Sequence, residues 1–275
     1  MIELGIIGDP IAHSLSPALH NFVLKSLGIA GEYRAYRVRE SELKEFLVTH
    51  QELAGFNVTI PHKERILSYL GELSREARLI GAVNTVKHEN DKLVGYNTDS
   101  VGFLRSLQAR DLSPKRVILG GAGGAARAVA HALLQSEVTT LALYNRTAER
   151  ARQLAQQLQR LYPSRTIFVV DDPRALPFEH ADLFVNATPV GMESDALPVP
   201  LPDRLPTALV VYDLVYNPPK TKLLLEAERR GAQTMNGLAM LISQAIESLK
   251  IWLDRPDLEE QIEYDSLQRF VEEQL

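Results

Sequence analysis

Lys115-Arg116-Val117-Ile118-Leu119 leads without interruption into Gly120-Gly121-Ala122-Gly123-Gly124-Ala125-Ala126, and the reading of this stretch decides the fold. The apolar run has the length and composition of a buried strand, the small residues mark a sharp turn, and the Ala-rich continuation to Gln135 has helical spacing. Gly121, Gly123 and Ala126 fit the pattern G-x-G-x-x-(G/A), placed between strand and helix as a dinucleotide fingerprint requires. The physical demand is that the backbone turn tightly, let a pyrophosphate approach without a Cβ in the way, and aim the first helical N–H groups at its charge. Gly121, Ala122, Gly123, Gly124 and Ala125 are therefore candidate cofactor contacts. A tight helix-strand crossing with no ligand is the plainer account of the same residues.

The end of the following strand bears on which cofactor is bound. An acidic side chain there receives ribose hydroxyls, whereas arginine accommodates an added phosphate. The sequence offers Tyr144-Asn145-Arg146-Thr147 and then Arg150, with no carboxylate at the tip. Two guanidiniums and a hydroxyl suit a dianion, so Asn145, Arg146, Thr147 and Arg150 point to NADP (NADPH) in preference to NAD. Arg146 and Arg150 could instead be a solvated helix start, although positive charge at that end is disfavoured.

Working outward, short apolar runs alternate with amphipathic segments, which predicts an α/β protein. Strands are expected near Glu3–Ile7, Tyr33–Val38, Gly55–Ile60 and Ala82–Lys87, with a hairpin through Asn90-Asp91 to Tyr96 closing the edge of a mostly parallel first sheet. Helices are expected at Ser16-Pro17, with Ser16 as the cap, near Ser41, and near His62. The second series continues with strands at 141–144, 166–170, 183–186 and 208–213, and helices near 124–135, 148–161 and 221–230: a Rossmann-type doubly wound domain. Residues 238–252 and 257–274 read as two closing helices. The expected division is a substrate-binding and catalytic domain from 1–100 plus 237–275, and an NADP-binding domain from 101–236. A chain of 275 residues suits two cores of about 100–150 residues each.

Composition narrows the function classes. No run approaches the roughly 20 apolar residues of a membrane helix. Met1–Ile7 reads as a first strand and not as a signal peptide. With no cysteine, disulfides, thiolate metal sites and cysteine nucleophiles are excluded, and a cytoplasmic, soluble protein is expected. Thirty basic against 35 acidic residues, net −5, leave no basic stripe for nucleic acid. The seven histidines show no metal-ligand spacing, so no metal is implied and each reads as structural or exposed. A small-molecule substrate and a monomer or homodimer are the expected partners.

Polar residues interrupt the first domain where a sheet would favour apolar ones. Asn57 and Thr59 share a face by alternation, Lys63 follows in the expected helix, Asn84-Thr85 repeats the theme, and Asn97-Thr98-Asp99 heads another helix. A lysine beside an aspartate can deliver a proton to, and stabilise charge on, a carbonyl oxygen that accepts hydride at carbon. Lys63 and Asp99 are the candidate catalytic pair. On spacing alone, Asp99 could equally be a helix cap and Lys63 a surface charge.

Read together, these motifs resemble the shikimate dehydrogenase family over essentially the whole chain. Gly8–Pro17 is similar to the family's substrate-carboxylate loop, implying that Ser14 and Ser16 bind an acid group. Asn57–Lys63 resembles N-V-T-x-P-x-K, implying Thr59 as a substrate contact and Lys63 as the catalytic lysine. Gly81–Thr85 and Gly95–Asp99 resemble G-A-V-N-T and G-x-N-T-D, implying Asn84 and Asp99 as ligands of ring hydroxyls, with Asp99 the partner of Lys63. The resemblance further implies Thr188 beside the nicotinamide, a backbone contact from Leu214, a substrate contact from Tyr216, and Gly237, Met240 and Gln244 around the closing helix, where Met240 and Gln244 share a face. Tyr216 and Met240 could also be ordinary core, and Gln244 a solvated side chain. The implied activity is NADP-dependent, reversible reduction of 3-dehydroshikimate to shikimate in aromatic amino-acid biosynthesis. A broader quinate/shikimate dehydrogenase using NAD is opposed by Asn145-Arg146-Thr147. A ligand- or cofactor-sensing protein without turnover is opposed by the presence of both Lys63 and Asp99.

Overall fold

A computed structural model describes residues 1–90 and 92–275, and the chain divides into two compact units: Met1–Gly102 with Ile242–Leu275, and Phe103–Leu241. No helix among the described residues is long and apolar enough to cross a membrane.

The first unit contains, in order, β1 (Ile2–Gly8), α1 (Ser16–Ser26), β2 (Gly31–Arg37), α2 (Leu43–Thr49), β3 (Gly55–Val58), β4 (Glu72–Leu73), α3 (Arg75–Ile80), β5 (Thr85–Glu89) and β6 (Lys92–Tyr96). These strands make one sheet in the order β2-β1-β3-β5-β6-β4. β1 runs parallel to β2 and β3, β5 is antiparallel to β3 and β6, and β4 is parallel to β6. β1 lies between two parallel neighbours and is buried from Leu4 to Ile7, which is why it is a nearly continuous apolar run. Its register sets Ile6 opposite Asn57, drawing a polar side chain into the sheet interior. Gly55 is required by packing. A Cβ there would lie 2.2 Å from Nε1 of Trp252, whose indole donates to the Val86 carbonyl at 2.8 Å.

Several expectations for this unit are corrected. Ser16 is the first residue of α1, not its cap, and it is the Ser14 hydroxyl that accepts from the Ser16 N–H at 3.3 Å. The expected helix near His62 is a turn followed by a 3-10 segment at Arg65–Tyr69, so Lys63 lies in the turn. The cause is tertiary: the Lys63 carbonyl accepts from Val83 N–H at 2.8 Å and is withdrawn from helical pairing. The edge of the sheet is β4 and not the hairpin. β4 and α3, two and six residues long, are too short to show a strand or helix period in the sequence. Asp91, placed by the sequence in the hairpin turn, lies outside the described residues.

α4 (Asp99–Gln108) leads into the second unit, which continues with β7 (Arg116–Gly120), α5 (Gly124–Gln135), β8 (Thr140–Tyr144), α6 (Ala148–Leu161), β9 (Thr166–Val169), β10 (Leu183–Asn186), β11 (Val210–Asp213), α7 (Lys222–Arg229), β12 (Gln233–Met235) and α8 (Leu238–Leu253). The sheet order is β12-β11-β10-β7-β8-β9 and every neighbouring pair is parallel. Succession runs outward from β7 in one direction through β8 and β9, and in the other through β10, β11 and β12. β7 therefore marks the switch point, where doubly wound sheets hold ligands at the carboxyl ends of their strands. β12, three residues long, has no apolar run to announce it. The last segment is a 3-10 turn at Leu258–Gln261 and α9 (Tyr264–Glu272) instead of one helix from 257 to 274.

Candidate active site

In the first unit, Lys63 and Asp99 meet. Lys63 Nζ donates to Asp99 Oδ2 at 2.6 Å, with the two side chains 15% and 6% exposed. The turn at 61–64 presents the lysine and the start of α4 presents the carboxylate. Asn97 Oδ1 accepts from the Asp99 N–H at 3.1 Å, so a neighbour does the capping and the Asp99 carboxylate is left for other contacts.

Asn84 fixes the other oxygen of Asp99. Its Oδ1 faces the Thr98 N–H at 2.7 Å, a group that can only donate, so Nδ2 must point the other way. That nitrogen donates to Asp99 Oδ1 at 2.9 Å and approaches Gln244 Oε1 at 3.3 Å. Lys63, Asn84, Asp99 and Gln244 are thus assembled in one cluster. Behind it lies a buried polar ladder: Tyr33 donates to Asn57 Oδ1 at 2.7 Å, Asn57 Nδ2 contacts Ser248 Oγ at 3.0 Å and Thr85 Oγ1 at 3.1 Å, and Ser248 donates to the Gln244 carbonyl at 3.0 Å. His20 stacks on Tyr33 at 4.2 Å, and burial pushes its imidazole down to about 3, keeping it neutral.

Of the remaining residues expected around a substrate, Ser14, Ser16 and Thr59 follow the carboxyl ends of β1 and β3, and Tyr216 lies in the other unit. Thr59 follows β3 and packs against Gly8, where a Cβ would fall 2.4 Å from its Cγ2. Asp9 N–H donates to the Ile60 carbonyl at 2.9 Å, which ties the loop that bears Ser14 and leads into α1 at Ser16 to the strand end bearing Thr59. Tyr216 and Met240 belong to the second unit, Tyr216 half-buried and Met240 in the hydrophobic core.

In the second unit, Gly121 adopts φ +120° and abuts the Ala187 carbonyl, 3.0 Å from where a Cβ would be. Only glycine serves there. Gly123 caps α5 in extended conformation with no side-chain cap, and a Cβ built on it would meet nothing within 4 Å. Small residues and an open helix start fit the pyrophosphate of a dinucleotide. Asn145 donates to the Thr147 carbonyl at 2.8 Å, bending the chain after β8, while Arg146, Thr147 and Arg150 are exposed at the start of α6. Thr188 donates through its hydroxyl to Asn186 Oδ1 at 2.7 Å. Gly237 lies against the Leu214 backbone so closely that a Cβ built on it would collide with the Leu214 carbonyl oxygen.

The sequence reading missed Tyr33, Ser248 and the role of Asp213. For Asp213 a signal exists: it stands opposite Asn186 in register, two polar residues ending adjacent apolar strands. Ser248, one turn beyond Gln244 on α8, offers no comparable sign. Among the described residues no group of three or more His, Asp or Glu side chains could hold a metal ion.

Comparison with known proteins shows which family the chain resembles. Residues 6–86 match the shikimate dehydrogenase substrate binding domain, and residues 104–186 match the shikimate / quinate 5-dehydrogenase family. The chain is 44% identical to the shikimate dehydrogenase (NADP(+)) of Symbiobacterium thermophilum, with 92% of this chain and 89% of that protein covered. It is 38% identical to that of Bacillus subtilis, covering 93% of each. The crystal structure of shikimate 5-dehydrogenase from Thermus thermophilus in complex with NADP(H) and shikimate matches at a TM-score of 0.84 and 36% identity, over 100% of both chains.

Proposed function

The chain belongs to the shikimate dehydrogenase family, and we propose that it catalyses the reversible, NADP-dependent reduction of the ring ketone of 3-dehydroshikimate to the alcohol of shikimate. The observation that carries this reading is the grip on Asp99 by Lys63 at 2.6 Å and Asn84 at 2.9 Å, in a unit that matches a substrate-binding domain. When bound, NADPH supplies the hydride to the carbonyl carbon. Residues 1–100 plus 237–275 act as the substrate and catalytic domain, and 101–236 as the NADP-binding domain.

Lys63 donates a hydrogen bond to the carbonyl oxygen and gives up a proton as negative charge grows there; in the oxidative direction it takes the proton back. Asp99, held through both oxygens, keeps the ammonium aimed and binds a ring hydroxyl with Asn84. Ser14 and Ser16 hold the substrate carboxylate, while Thr59, Tyr216 and Gln244 orient the ring. Gly121, Ala122, Gly123, Gly124 and Ala125 receive the pyrophosphate at the start of α5. Asn145, Arg146, Thr147 and Arg150 surround the ribose phosphate, and the absence of a carboxylate there favours NADP over NAD. Thr188, Leu214, Gly237 and Met240 line the nicotinamide end. The protein works in the cytoplasm, as a monomer or homodimer.

A spectrophotometric assay tests this directly. Shikimate with NADP should be oxidised, read as NADPH, at least about tenfold more efficiently than quinate with NAD, read as NADH, an interval worth roughly 1.4 kcal/mol of transition-state binding. No turnover of shikimate with either cofactor would refute the reading.

A further inference from the structure

Asp213 ends β11 with its side chain wholly buried. Its carboxylate reaches three separate segments. Oδ1 accepts from Asn186 Nδ2 at 2.9 Å and from the Val215 N–H at 3.1 Å, and Oδ2 accepts from the Thr221 hydroxyl at 2.7 Å. Asn186 extends the tie, since its Oδ1 accepts from both the N–H and the hydroxyl of Thr188, at 3.1 and 2.7 Å, and its backbone carbonyl accepts from the Leu214 N–H at 3.0 Å. These three partners of the carboxylate are neutral donors, and burial pushes its pKa up to about 6. A buried carboxylate held by neutral groups alone is a poor way to fill a core, so the use of the position lies in its acceptor capacity.

We propose that Asp213 is a positioning residue for cofactor binding, whose two oxygens lock the 186–192 and 214–216 segments into one arrangement that presents Thr188 and Leu214 together to the nicotinamide half of NADP. The proposal rests on the cofactor assignment made above. It differs from a purely structural role in what it predicts for ligand affinity and for local opening.

Two substitutions separate these roles. Asp213→Asn keeps the Oδ1 acceptor, and Thr221 can rotate its hydroxyl to accept from the new amide. Asp213→Leu keeps the approximate volume and removes both acceptors. NADP+ affinity is measured by isothermal titration calorimetry at pH 8, and amide hydrogen exchange at 188–192 and 214–216 is followed in the ligand-free protein. Asp213→Asn should bind within about threefold of the unsubstituted protein, and Asp213→Leu about tenfold or more weakly with faster exchange in both segments. If Asp213→Leu fails to fold, Asn186→Ala, which leaves Val215 and Thr221 on the carboxylate, should still weaken NADP+ binding about fivefold and speed exchange at 188–192. Unchanged affinity and exchange in folded Asp213→Leu or Asn186→Ala overturns the proposal, as does an Asp213→Asn protein as weak as Asp213→Leu. Failure of the unsubstituted protein to bind NADP+ at all would strike the cofactor assignment instead, while exchange in the ligand-free protein would still decide whether the tie exists.

Discussion

Each unit buries a carboxylate at the end of a polar network, and the two are treated oppositely. Asp99 is paired with a cation 2.6 Å away and backed by a ladder of amides and hydroxyls, and Lys63 remains partly exposed. Asp213 is held by an amide, a backbone N–H and a hydroxyl. In the proposed mechanism the carboxylate with a cationic partner serves proton movement, whereas the one met by neutral donors holds its neighbours in place. If both proposals hold, the identity of the partner, and not position in the sheet, separates chemistry from scaffolding.

The contrast can be broken at its strongest point first. Lys63→Ala should lower kcat by about a thousandfold, in the range of a lost general acid-base group, with the far-ultraviolet circular dichroism of the folded protein retained. Near-normal turnover would mean that the ion pair is scaffolding too.

The next test concerns Asp213 and pH. Its carboxyl is raised from the ordinary 3.8 to about 6, so between these values the folded chain binds more protons than the unfolded one. The contribution to stability is complete below about pH 4 and is lost as pH rises through about 6, a change on the order of 3 kcal/mol. Asp213→Asn should flatten that part of the profile in urea denaturations run from pH 4 to 7, and an identical slope in both proteins would show that the carboxyl titrates normally. A smaller effect should come from the ladder behind Asp99. Asn57→Leu removes the acceptor of the Tyr33 hydroxyl and the amide that reaches Ser248 and Thr85, and should cost about 2 kcal/mol, with kcat falling only severalfold because Asn84 keeps its Thr98 contact. A loss of activity as deep as that of Lys63→Ala would place Asn57 in the chemistry and not behind it.

How much of this was legible varies with how local each constraint is. The strand, glycine turn and helix from Arg116 to Gln135 could be read because the conformational need at Gly121 and the open helix start are satisfied within a few residues. Lys63 and Asp99 could be named, but their meeting could not be seen in spacing, since 36 residues separate them. The segment that carries Lys63 has a helical sequence signal but forms a turn, because its carbonyl is claimed by Val83, twenty positions away. Tyr33 and Ser248 were invisible for a related reason: an aromatic in a strand and a serine in an apolar helix become a network only after β3, β5 and α8 have packed.

Trp252, lodged over the bare backbone of Gly55, is the chain's single tryptophan, with the His20 and Tyr33 rings 5.4 and 6.0 Å away. The fold thus carries its own optical label, and it sits in the first unit alone. Fluorescence excited at the indole watches that unit melt, while ellipticity watches both, so one denaturation followed by two colours of light can say whether the halves come apart in step.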